Sequence, residues 1–442
     1  MRVRRFAGVF LVLVCLFGAV TAQAAVKTNF SVSSVEKLET ALKYEKKHKV
    51  TEFTVTMDAA LYKKMTADDG YRLKRELMLC GAVSPGKYTQ DDEARKISFS
   101  VRWSGDPVYQ VTSKAELDEA VGKIVKKDTR QFTLVMGKTL YASMSGDEFA
   151  PFKVLIGRHC IASCEHTAYD DLHILKVTSC SIMRNAKYVT TMDEAVDHIR
   201  GMAAKEAKYM NLFCPASLYE KLRAEITWDE GETETRQKAL LHSCGGRSFS
   251  TAHHDDTRHI GYSNVSYYPG FRIANAAAKG NEKQLPDEDL RTLAAARKLV
   301  KGLDTSKYKT GTAASKKAAA IVDALARVTE YKAGNLLPTD GDCARGPLLN
   351  GEGDCDGYAD TFYLCASLAG LEVRYVSGPR HMWNMVRIDK KWYFVDATWC
   401  DAGTQSDFRY FMLGRDRASQ THVYFEDIIP ALAGKTDPKL IP

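Results

Sequence analysis

Between Phe30 and about Arg272 the chain repeats itself, and this restricts its fold more than any other feature. Leu38, Ala41, Phe53, Leu61, Tyr62 and Met65 reappear as Leu117, Ala120, Phe132, Leu140, Tyr141 and Met144, each 79 positions further on, with no gap needed. A third copy follows, with Asp193-Glu194-Ala195-Val196 standing for Asp118-Glu119-Ala120-Val121 and Leu218-Tyr219 for Leu140-Tyr141. Cys80, Cys160 and Cys244 close the second helical pattern of each copy. An acidic pair then precedes an apolar strand: Asp91-Asp92 before Ile97–Val101, Asp170-Asp171 before Ile174–Val177, Asp255-Asp256 before Ile260–Val265.

Each copy reads as strand, helix, strand, helix, strand, a small α/β unit. A period near 79 residues exceeds that of the usual solenoids, so beads in tandem are expected over 30–105, 106–183 and 184–274. The recurrent cysteines occupy positions that want a small apolar residue and read as buried thiols. The copies read as recognition or spacing units, and no residue in them names a ligand.

At 442 residues the chain is too long for one hydrophobic core. It opens with Arg2, Arg4 and Arg5, an apolar run from Phe6 to Val20, and Ala22-Gln23-Ala24, the pattern of a secretory signal over 1–24 cut after Ala24. Cys15 follows Val14 rather than a small residue, which argues against lipid attachment. No later stretch has the apolar length to span a bilayer. The expected location is therefore secreted, periplasmic or cell-envelope. Losing the three arginines takes the formal balance from +7 to +4, spread along the chain. That is a solvated, mixed-charge surface, and without a basic patch interleaved with aromatics nucleic acid is not expected as a partner.

The chemistry gathers near the C-terminus in three blocks: Asp354-Cys355-Asp356-Gly357-Tyr358-Ala359, His381-Met382-Trp383-Asn384, and Trp392-Tyr393-Phe394-Val395-Asp396 running into Thr398-Trp399. From Cys355, apolar residues at Tyr358, Ala359, Phe362, Cys365, Ala366 and Ala369 mark one face of a helix ending near Gly370. Cys355 then sits in its first turn, where the helix dipole favours thiolate. His381–Ile388 and Lys391–Trp399 read as strands joined at Asp389-Lys390. A two-residue turn pairs Ile388 with Lys391 and makes Asp396 the diagonal neighbour of His381; a one-residue slip would put them on opposite faces. Trp383 shares the His381 face, and Asn384 points the other way as a structural hydrogen-bonding residue.

These blocks, in this order and spacing, resemble the transglutaminase-like superfamily, whose members share a papain-like cysteine core. The resemblance covers about the last third of the chain, from near Gln284, and the domain is expected over 280–442. It implies an α+β fold for this part and a catalytic triad of Cys355, His381 and Asp396. Two helical patterns ahead of the nucleophile, Asp287–Leu303 and Thr312–Tyr331, correspond to the helices that form the first lobe of such cores. Cys400-Asp401 departs from the acidic pair that often follows Thr-Trp in the family. Each residue also has a plainer reading: Cys355 as half of a disulfide, His381 as a satisfied buried histidine, Asp396 as a strand-end cap.

The expected reaction is attack of the Cys355 thiolate on an amide carbonyl of a protein or peptide, cell-envelope components included, with His381, held by Asp396, protonating the leaving nitrogen. Water or an amine then takes the thioester. The competing class is a non-catalytic envelope protein using the same scaffold. No cofactor is expected, and the absence of a loop of alternating acids gives no calcium site. His159-Cys160 with Cys164 and His166, and His253-His254-Asp255-Asp256, gather metal-ligand types, but their histidines do not recur between copies and zinc is not assigned. Ten cysteines remain after signal cleavage and nine beyond Cys355, an odd number; Cys343 with Cys400, or Cys164 with Cys180, could bridge.

Overall fold

The computed structural model describes residues 26–227, 233–333, 340–403 and 406–441, so the signal expected over 1–24 lies outside the described residues. The chain divides into two compact units, one of residues up to 111 with 131–137 and 168–176, the other of 112–130, 138–167 and 177 onward.

In the first unit, Asn29–Val32 pairs in parallel with Glu52–Met57, which pairs antiparallel with Lys96–Ser100, with Lys87–Asp91 at the edge. Helices Val35–His48 and Ala59–Leu79 are capped by the side chains of Ser34 and Asp58, the second bending at 67–70. Leu38, Ala41, Phe53, Leu61 and Met65, the residues of the repeat, share one core. Val108–Val111 pairs in parallel with Phe132–Met136, Tyr109 opposite Leu134, the register of Phe30 opposite Val55 carried forward by 79 residues. Each copy ends in a hairpin rather than the expected single strand. Its outer strand, Lys-Tyr-Thr-Gln-Asp at 87–91, is polar and solvent-facing and so gave no apolar signal.

In the second unit, Ala186–Tyr188, Met210–Phe213, His259–Tyr267 and Gly246–His254 adopt the same order, the first two parallel. The second helix of this copy is split into Ala216–Arg223 and Arg236–Ser243 by a short hairpin, Glu225–Thr227 with Thr233–Thr235. This copy is not a separate bead: Leu218, Leu240, Tyr262 and Tyr268 share one hydrophobic cluster with Cys343, Ala359, Tyr375 and Met382 of the C-terminal region. Helix Pro269–Lys279 follows the last strand of this copy and ends at Gly280, where the C-terminal domain is expected to begin.

The C-terminal region carries helices Asp287–Lys301 and Ala313–Val328, then Cys355–Leu368, packed on an antiparallel sheet of Glu372–Gly378, His381–Ile388, Lys391–Val395 and Phe411–Leu413 in sequence order. Helices on one antiparallel sheet make this part an α+β fold. All ten described cysteines are free thiols. Cys343 and Cys400 lie in different core clusters and do not bridge, whereas Cys164 and Cys180 meet as hydrogen-bonded thiols. No helix of the described residues is long and apolar enough to cross a membrane.

Candidate active site

Cys355 is the first residue of its helix, as the sequence periodicity predicts. Asp354 caps that helix, its Oδ1 accepting the backbone N–H of Asp356 at 3.0 Å and of Gly357 at 3.1 Å. The expectation of a ready thiolate does not hold in this arrangement. Burial, then the charges of Asp356 and Asp354, push the Cys355 thiol well above its ordinary range, against the pull of the helix end and of the Met382 N–H. Sγ donates to Asp356 Oδ1 at 3.5 Å. Asp356 in turn accepts from the Tyr268 hydroxyl of the third repeat copy at 2.8 Å.

The hairpin register is the expected one, Ile388 opposite Lys391 and Asn384 opposite Val395. Its two turn residues, Asp389 and Lys390, have φ of 49° and 68°, the pair of positive values that a two-residue type I′ turn requires. Asp396 follows directly on the second strand, its N–H bonded to Tyr410 O at 3.1 Å. His381 Nε2 meets Asp396 Oδ2 at 2.7 Å. Asp396 is wholly buried. Burial alone would raise its carboxyl, but the His381 charge, with hydrogen bonds from His381 and His422, outweighs this and brings it down to about 2. An ionised oxygen at that distance requires a proton on Nε2, which leaves Nδ1 of His381 as the nitrogen that can exchange a proton. Asn384 is buried and donates to Arg374 O at 3.5 Å, the structural role expected of it.

Three contributors escaped sequence reasoning. The first is His422, buried just after helix Arg415–Thr421, with Nε2 3.2 Å from the same Asp396 Oδ2 and Nδ1 2.8 Å from Thr421 Oγ1. It lies outside the three blocks, and no spacing marks it. The second is Trp399, whose ring lies parallel to His381 with centroids 4.6 Å apart and planes at 9°, while Trp383 flanks it at 5.5 Å. The third is Glu234, Lys238 and His242 of the third repeat copy, which line one cavity of about 360 Å³ together with Cys355, His381 and Met382. His381 also borders a second cavity of about 970 Å³, with Thr398, Trp399, Tyr331 and Asp401. Asp401, the one acid of the Cys400-Asp401 pair, has a place there: its carboxylate accepts from Tyr358 and from the Gly403 N–H.

Two sets of donor atoms lie within 4.8 Å of one another among the described residues, His381 with Asp396 and His422, and Asp354 with Cys355 and Asp356. In the first, the separations of 2.7 and 3.2 Å are those of hydrogen bonds. In the cluster around Cys160 and Cys164, His159 bonds Asp118 and His166 packs edge-on to Phe149.

Residues 299–397 match the family model described as the Transglutaminase-like superfamily, and this part of the chain is a transglutaminase-like domain. No curated protein matches the chain. Among solved structures it is similar to one described as "Crystal structure of a TGase", at 15% identity over 49% of this chain and 56% of that one, with a TM-score of 0.23. It is also similar to a "Putative Cysteine Protease from Cytophaga hutchinsonii", at 16% identity over 40% of this chain and 61% of that one, with a TM-score of 0.19. In both cases less than two thirds of the other chain is spanned.

Proposed function

We propose that the protein is an exported cysteine enzyme that acts on amide bonds of proteins or peptides, with Cys355 as nucleophile, His381 as acid–base and Asp396 as its orienting partner. The observation that carries this is the 2.7 Å bond between His381 and a buried, ionised Asp396, with Cys355 lining the same cavity from the first turn of its helix. The carboxylate fixes the proton on Nε2, so Nδ1 takes the thiol proton as the sulfur attacks the carbonyl carbon. The same nitrogen returns that proton to the departing amine as the C–N bond breaks and a thioester remains. Water then releases an acid, or a primary amine forms a new amide.

The resting thiol is protonated and bonded to Asp356, so this chemistry needs a transfer from sulfur to His381 as substrate arrives. The same feature supports the competing reading, a scaffold that binds without turnover. The test is to offer a glutamine-containing protein with a fluorescent primary amine, and casein in parallel, to the wild type and to Cys355→Ala. Amine incorporation lost in the variant indicates transfer, cleavage alone indicates a peptidase, and neither activity in the wild type leaves the scaffold.

A further inference from the structure

The cavity above Cys355 is closed on one side by a segment that does not belong to the transglutaminase-like domain. Glu234 and Lys238 come from the third repeat copy, where a hairpin splits the second helix, and Lys238 lies in the first turn of helix Arg236–Ser243. The Glu234 side chain is 1% exposed, and Lys238 Nζ, 3.1 Å from its Oε2, belongs to a side chain that is 48% exposed. Ser377 Oγ donates to the other oxygen of Glu234 at 3.4 Å. Glu234 thus spends its two oxygens on a hydroxyl and on one proton of the ammonium, and holds that ammonium in the cavity lining with two protons directed elsewhere.

The cavity carries both signs of charge. Half-buried Asp354 and Asp356 line it; burial, then the neighbouring Asp356, raises Asp354 to about 6, and burial also raises Asp356. Lys238, whose side chain is 48% exposed, lines the same cavity. A ligand in that cavity lies beside both the ammonium and the thiol.

We propose that the third repeat copy is a specificity element of the active site, and that Lys238, positioned by Glu234, binds a carboxylate carried by the substrate beside the amide that Cys355 attacks. The substrate class is an acidic peptide. The assignment rests on the thiol chemistry proposed above and adds the partner that this chemistry selects. A carboxylate on the ammonium forms a charge-assisted contact at the edge of a recessed cavity, where water screens it less than on an open surface.

The probes are two short peptidyl chloromethyl ketones that differ only in Glu against Gln next to the residue bearing the reactive group. The readout is the second-order rate of Cys355 alkylation in the full chain, located by mass spectrometry. The wild type is expected to react roughly tenfold faster with the Glu probe, the size of one charged hydrogen bond. That ratio should shrink as salt is raised. In Lys238→Gln, which can still bond Glu234, the ratio should fall to about one, and Lys238→Arg should restore it. Equal rates for the two probes in the wild type, or a preference that survives in Lys238→Gln, overturn the assignment while Cys355 remains a reactive thiol. A Cys355 that neither probe nor iodoacetamide modifies overturns the thiol chemistry as well, so the two failures are told apart.

Discussion

His422 and Asp396 are joined through the oxygen that His381 also holds, His422 Nε2 lying 3.2 Å from Asp396 Oδ2. A carboxylate gripped by two imidazoles and by the Trp399 N–H, 3.0 Å from its Oδ1, cannot rotate freely. Burial, and to a lesser degree the charge of His381, lowers the His422 imidazole below its ordinary range, although the carboxylate pulls the other way. His422 is therefore a neutral donor that fixes the aspartate.

Replacing His422 by Gln keeps one donor of similar reach and should lower kcat for amide turnover only a few-fold. His422→Ala leaves a buried carboxylate oxygen short of one partner and should cost about 1.5–3 kcal/mol, most of it in kcat, with KM little changed. Steady-state kinetics of both variants check this. An equal rise in KM for both would point to a binding role instead.

The same oxygen depends on a glycine two strands away. An added Cβ at Gly378 would sit 2.1 Å from the backbone oxygen of Val423, the residue after His422. Gly378 is paired with His381 across the sheet, so one backbone contact sets the spacing between the two histidines. Gly378→Ala should push the 422–423 segment outward and lower kcat at least as much as His422→Ala. Combining the two substitutions should then add little, because both act through one bond. Full additivity in that double-mutant comparison would sink the connection.

What the sequence made legible here is what local periodicity and register control. The helix begun by Cys355 and the pairing that sets Asp396 diagonal to His381 follow from spacing alone, since one slip would have reversed the faces. His422 was invisible because its partner is 26 residues distant and no period links them. The third copy's place beside the thiol was also hidden. No repeat correspondence or motif marks its Tyr268 or Glu234, and only tertiary packing brings them to Asp356 and Ser377. The thiol's electrostatics failed for a related reason. The helix dipole is a local property and was counted, whereas the burial that outweighs it is not local.

Asp360 pins the third copy to the helix that begins at Cys355. It is wholly buried and accepts from the N–H of Gly270 at 2.9 Å, the N–H of Ala344 at 2.8 Å and the Tyr375 hydroxyl at 2.7 Å. Burial raises its carboxyl to about 6 despite these bonds. A folded pKa above the unfolded one means the stabilising contribution is complete below about pH 4 and is lost as the pH climbs through about 6, at about 1.4 kcal/mol per unit. Asp360→Asn keeps an oxygen for the two N–H groups and an amide for Tyr375, and removes the charge. The stability of wild type minus variant, from denaturant midpoints, should therefore fall between pH 4 and 6. Asp360→Ala strands three donors and should cost about 3–5 kcal/mol at any pH in that range.

The last expectation concerns the thiol itself. Asp356 is bonded to Cys355 Sγ on one oxygen and to Tyr268 on the other, so it both accepts the thiol proton's hydrogen bond and places negative charge beside the sulfur. Each effect favours the neutral thiol. Asp356→Asn retains a partner for Tyr268 while removing that charge, and the sulfur should ionise at lower pH. Iodoacetamide labelling of Cys355, followed by mass spectrometry from pH 6 to 10, should show its inflection displaced toward acid and a severalfold faster rate near pH 8. The direction is the discriminating part. Loss of packing alone would expose all buried thiols together, whereas the electrostatic effect acts on Cys355 and leaves Cys365, buried within the same helix, as slow as before. If the inflection stays put or moves toward alkali, Asp356 does not hold the resting thiol neutral, and burial with the charge of Asp354 must retain the proton.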